Sequence, residues 1–163
     1  MKINKKIILK CMTVLLMLGI FFSCSSKLGE DSDSNIDWSK VDLSNIENLY
    51  AQPLPVIKKV VEGKWKLQYS EGGFAYQKII DTFDNYMYIN KNHITKGNST
   101  YGVTMNSSFT WEKVKDIFGN GSSAYILQPP GYLSIVPLQI KNDTLISWDA
   151  CADGFTYYYT KIY

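Results

Sequence analysis

The stretch VVEGKWKLQYSEGG, residues 60–73, marks where a polar N-terminal region gives way to a domain. Directly after Gly63, large apolar side chains at Trp65, Leu67 and Tyr69 alternate with polar ones. Alternation with a period of two predicts a strand with one face buried and the other in water. A tryptophan that opens such a strand immediately after a glycine indicates an architectural role for this pair.

The same period continues to the end of the chain. Further alternating or apolar runs follow, punctuated by turn residues: NYMYINKNHITKG, SSFTWEKVKDI, AYIL, YLSIVPLQIKNDTLISWDA and GFTYYYTKIY. Short strands at such intervals favour an all-β, antiparallel up-and-down barrel. We expect about seven or eight strands over residues 63–163, preceded by a short helix.

The N-terminus resembles a lipoprotein export signal. Lys2, Lys5 and Lys6 precede an apolar core that ends at FFSCSS, in which Ser23 and Cys24 resemble a bacterial lipobox. We expect residues 1–23 to be a signal peptide and Cys24 to carry lipid, anchoring the protein in the outer membrane and facing the periplasm or the cell surface. The alternative is an uncleaved signal anchor.

Two segments connect this signal to the predicted barrel. Residues 24–42 contain the lipidated cysteine and a polar, acidic stretch with little to bury, which predicts a flexible tether. Residues 43–62 contain helix signals, including a candidate capping box at Ser44 and Glu47 and prolines at 53 and 55. We expect a short helical segment that caps one end of the barrel.

Charge and composition exclude several classes of function. The chain contains no arginine, and loss of residues 1–23 leaves 13 lysines against 15 acidic residues, a net charge of −2. A nucleic-acid partner would require a clustered basic face, so no nucleic-acid partner is expected for a chain so close to neutral. One histidine, His93, is too few for the usual zinc or iron sites, so no metal or cofactor is expected.

Catalysis is not expected either. Cys151 is the only thiol that remains beside Cys24 after processing, and it lies between Asp149 and Asp153, whose charges disfavour a thiolate. A buried structural thiol is the simpler interpretation, and His93 falls in a predicted hairpin tip. The sequence therefore predicts a protein that is not an enzyme.

Gly63-Lys64-Trp65 at the start of the first strand resembles the Gly-x-Trp motif of lipocalin-like proteins of the calycin superfamily. The resemblance covers residues 55–69 and 138–162 and implies a barrel with Trp65 across its closed end. It also implies a basic side chain packed on that indole. Lys161 is the candidate near the C-terminus; the alternative is a plain core tryptophan with Lys161 in solvent.

The surplus of aromatic residues suggests a use for the barrel interior. The candidate ligand-lining residues are Tyr86, Tyr88, Phe109, Trp111, Trp148, Tyr157 and Tyr159. If they line a cup, the function is binding of a small hydrophobic or amphipathic ligand at the cell envelope. The alternatives are that exposed tyrosines only support strand pairing, or that a solid barrel engages or inhibits an envelope protein.

Overall fold

The computed structural model describes residues 36–151 and 153–163. The predicted signal peptide, Cys24 and the first part of the predicted tether lie outside these residues. The elements, in chain order, are a 3-10 helix Trp38–Lys40, helices α1 Ile46–Ala51 and α2 Leu54–Val61, and strands β1 Gly63–Gly72, β2 Gln77–Ile80, β3 Tyr86–Asn90, β4 His93–Asn98, β5 Gly102–Ser108, β6 Thr110–Lys115, β7 Ser123–Gln128, β8 Ile135–Lys141, β9 Thr144–Asp149 and β10 Phe155–Ile162.

The strands form one curled antiparallel sheet, so the expected all-β, barrel-like architecture is confirmed. Its order is β5-β4-β3-β1-β10-β9-β8-β7-β6, with β2 paired to the far half of β1. Most sequential strands are neighbours, the exceptions being β2 with β3 and β5 with β6, and the first strand pairs with the last. The path ends at β5 and β6, which are consecutive in the chain and are separated by the single buried residue Phe109.

The expected number of strands was wrong, because the described residues form ten strands instead of seven or eight. Two features account for the difference. β2 is exposed along its whole length, so it carries no alternation that a sequence pattern could reveal. The run around Phe109 is divided into two strands, because β5 pairs with β4 whereas β6 pairs with β7.

Apolar residues are buried on both faces of the sheet. The inner face carries a large core cluster that includes Met87, Ile94, Leu127 and Leu145. On the other face of β7 and β8, Ala124, Ile126 and Val136 form a second cluster, against which Tyr50, Phe118 and Trp148 pack. Helix α1 brings Tyr50 to this second cluster, where its hydroxyl donates a hydrogen bond to the Pro137 carbonyl.

The Gly63-Lys64-Trp65 stretch explains how the helical segment meets the sheet. Trp65 is only 1% exposed, and its indole N–H donates a 2.9 Å hydrogen bond to the carbonyl of Val61, the last residue of α2. Lys161 is the cross-strand partner of Trp65, and its Nζ lies 5.2 Å from the ring centroid. A Cβ atom on Gly63 would lie 3.1 Å from Lys161 Cε, so glycine leaves room for that side chain.

Candidate ligand-binding site

A cavity of about 470 Å³ opens into the curl of the sheet, away from Trp65. Residues of seven strands and of the loops before β3 and β8 surround it: Leu67, Asn85, Tyr86, Lys96, Gly97, Thr104, Met105, Tyr132, Leu133, Ile135, Asp149, Tyr157 and Tyr159. Its size falls within the range of small-molecule sites, which is roughly 300–1,000 Å³. The lining combines aliphatic and aromatic surface with two ionisable side chains of opposite charge.

Lys96 supplies the positive charge. Its cross-strand partners are Met87 on β3 and Met105 on β5, and both methionines belong to the inner core cluster. Lys96 therefore shares the inner face of β4 with the buried Ile94, two residues before it. Burial lowers the pKa of Lys96 below that of a free lysine, against the attraction of Asp149.

Asp149 supplies the negative charge, and a tyrosine already engages it. The hydroxyl of Tyr157 donates a 2.7 Å hydrogen bond to the Asp149 carboxylate. Burial, and then this hydrogen bond, raise the pKa of Tyr157, while burial raises the pKa of Tyr159. Both phenols are therefore neutral at physiological pH, and Tyr157 holds Asp149 in a fixed position.

Three of the seven aromatic residues proposed as ligand-lining lie at the cavity: Tyr86, Tyr157 and Tyr159. On β10 the rings of Tyr157 and Tyr159 stack with centroids 6.2 Å apart, because residues two apart share one face of a strand. Together these rings form an aromatic wall.

The other four candidates do not line the cavity. Tyr88 is 42% exposed, because it alternates with the buried Met87 and Ile89 of β3. Phe109 and Trp111 pack edge to face within the inner core, with ring centroids 5.8 Å apart. Trp148 packs on Phe118 with the second cluster, on the other face of the sheet.

Neither of the residues considered for chemistry, His93 and Cys151, is among the residues that line the cavity. His93 is exposed at the start of β4, with its Nε2 2.5 Å from the side-chain oxygen of Asn106. Cys151 is half-buried, with a free thiol, in the turn between β9 and β10. Within residues 36–151 and 153–163, no three His, Cys, Asp or Glu side chains come together as metal ligands would.

A second cleft, of about 540 Å³, lies between α1 and the connection from β6 to β7. Tyr50, Phe118, Glu47 and Lys113 are among its lining residues. It is bordered by one short helix, by loop residues and by Lys113 and Ser123 at β6 and β7. Strands therefore contribute fewer of its lining residues than they do to the first cavity.

The sequence interpretation missed the two charged residues that distinguish the first cavity. The sequence did contain a signal for Lys96. It stands two residues after Ile94, so its side chain lies on the same face of the strand as that apolar residue. Because residues 90–97 were interpreted as a hairpin tip around His93, Lys96 was not recognised as a residue of the inner face. Asp149 was considered for its effect on Cys151 and not as a residue of the cavity.

No family model matches this chain, and no curated protein or solved structure matches it either. Among the residues that the structure describes, none of the helices has the length and apolar content that crossing a bilayer would require.

Proposed function

We propose that this protein is a lipid-anchored, lipocalin-like binding protein that holds a small amphipathic ligand inside its curled sheet. The observation that carries this proposal is the cavity beside Tyr157 and Tyr159. Its lining offers apolar surface for one part of a ligand and charged side chains for another. The order of strands, with β1 paired to β10, supports the lipocalin-like architecture.

The cavity also favours binding over the alternative of a solid interaction module. A solid barrel would need its large aromatic residues inside. Of the large aromatic residues, Trp65, Phe109 and Trp111 do lie in the inner core, whereas Phe83 is exposed and Trp148 packs with the second cluster. The aromatic side chains therefore fill only part of the interior. Space for a ligand is left beside β4, β5 and β10, which contribute Lys96, Met105 and Tyr159 to the cavity lining.

Binding can be tested with N-phenyl-1-naphthylamine, a neutral apolar fluorophore. We expect saturable binding of one probe per chain, with a dissociation constant on the order of 1–100 µM. Leu67→Trp places a larger side chain in the cavity and should weaken binding by about tenfold or more. Fluorescence titration of the full-length protein measures both values.

Ile80→Trp is the matched control, because Ile80 is exposed on β2 and is not a lining residue. It adds the same indole and should leave the affinity for the probe unchanged. Probe fluorescence that never saturates, or equal weakening by both variants, would contradict the proposed site. That result would favour the interaction module.

The lipid anchor rests on the sequence around Cys24. Cys24→Ser removes the thiol that would be acylated, so most of the protein should move from the membrane fraction to the soluble fraction. Cys151→Ser is the control, because it removes a thiol from the turn between β9 and β10 and should not change the distribution. Immunoblots of fractionated cells measure both, and a Cys24→Ser protein that stays with the membranes would argue against the anchor.

A further inference from the structure

We propose that Lys96 is the anchor for an anionic group on the ligand, so that the cavity selects amphiphiles that carry a carboxylate. The inference rests on the proposed binding function and deepens it by naming the class of ligand. It starts from the position of Lys96, a cation on the inner face of a strand where the neighbouring positions are apolar.

The neighbours of Lys96 explain why its charge needs a partner. Met87 is fully buried and Met105 is 6% exposed, so both flanking strands present thioether side chains to the lysine stem. A charge in such surroundings is costly unless an opposite charge or a hydrogen bond compensates it. Lys96 makes no ion pair with any residue in the described ranges.

Asp149 does not fill that role. It is near enough to attract Lys96, but its carboxylate accepts the hydrogen bond from Tyr157 and forms no ion pair with Lys96 within the described part of the chain. Lys96 is therefore the positively charged residue of the cavity lining, and its ammonium group is open to a ligand. A carboxylate at the end of an apolar chain would pair with Lys96 and place the chain against Leu67 and Met105.

The test compares three ligands with the same hydrocarbon chain: dodecanoate, dodecanol and dodecyltrimethylammonium. Each is titrated, at neutral pH and below the concentration at which it aggregates or separates from water, against full-length protein loaded with N-phenyl-1-naphthylamine. Because hydrogen bonds to charged groups are the strong ones, dodecanoate should displace the probe roughly 10- to 100-fold more effectively than dodecanol. The cationic ligand should be the weakest.

Substitutions assign this preference to Lys96. Lys96→Met should bring dodecanoate and dodecanol to equal affinity, while Lys96→Arg should keep the order of the wild type. Lys113→Met is the control, because it removes a lysine from the second cleft and should leave the preference intact. The midpoint of thermal unfolding should be as high in Lys96→Met as in the wild type or higher, since a desolvated charge is removed.

The outcomes separate this inference from the proposed function. If the probe binds but dodecanoate and dodecanol compete equally, the anchoring role of Lys96 is wrong while the binding function stands. The same holds if Lys96→Met retains the preference for the acid. If the probe does not bind to the wild type at all, the proposed function itself fails.

Discussion

Trp65→Ala should reduce the free energy of unfolding by about 3–5 kcal/mol, the range measured for truncation of a large buried aromatic residue. The indole is almost completely buried between α2 and the sheet, and three contacts depend on it. Its N–H donates a hydrogen bond to the Val61 carbonyl, its face lies under Lys161, and it packs in the inner core cluster that also contains Met87. Removal leaves a cavity and an unsatisfied carbonyl at the end of a helix.

Chemical denaturation followed by far-ultraviolet circular dichroism is the appropriate measurement, because the substitution changes tryptophan fluorescence. Trp38→Ala is the matched control: Trp38 is 50% exposed in the 3-10 helix, so its loss should cost less than about 1 kcal/mol. A loss below about 0.5 kcal/mol for Trp65→Ala would show that this residue does not join the helical segment to the sheet.

The Trp65 region also shows what the sequence could reveal. Strand alternation after Gly63 places Trp65 and Leu67 on the inner face, and the structure has them there. That Lys161 lies close to Trp65 could be expected only from the resemblance to lipocalin-like proteins, because no local sequence rule pairs residues nearly one hundred positions apart. The structure supplies the reason, which is the antiparallel register of β1 with β10.

Other features depend on tertiary contacts that leave little trace in a single sequence. Helix α1 begins one residue later than the capping box predicted, since Asn45 caps it by accepting from the backbone N–H of Asn48. The break at Phe109 arises because the two halves of one extended run pair with different strands. Which aromatic residues reach the cavity depends on which face of each strand is turned inward. Alternation shows that a strand has two faces but does not say whether the face of Tyr157 or that of Trp148 is the inner one.

The second large effect is expected at Gly72, where the end of β1 meets the beginning of β10. Gly72→Ala should destabilise the protein by about 2–4 kcal/mol, from backbone strain and overpacking together. Gly72 has φ +139°, a conformation that L-residues rarely adopt. A Cβ atom there would lie 2.5 Å from the Gly154 carbonyl oxygen and 3.0 Å from Phe155 Cα. Both are backbone atoms, so no side-chain rotation can relieve the clash.

Gly102→Ala is the control for a glycine with a positive φ but without overpacking. Gly102 also has a positive φ, +70°, but a Cβ atom there meets no other atom within 4 Å. Its substitution should therefore cost only the conformational part, about 1–2 kcal/mol. Chemical denaturation of both variants gives the difference, which combines the overpacking against Gly154 and Phe155 with the larger strain of φ +139° over φ +70°. Equal losses would mean that the backbones of Gly72 and Gly154 are farther apart, and the pairing of the first strand with the last would then extend less far toward the cavity.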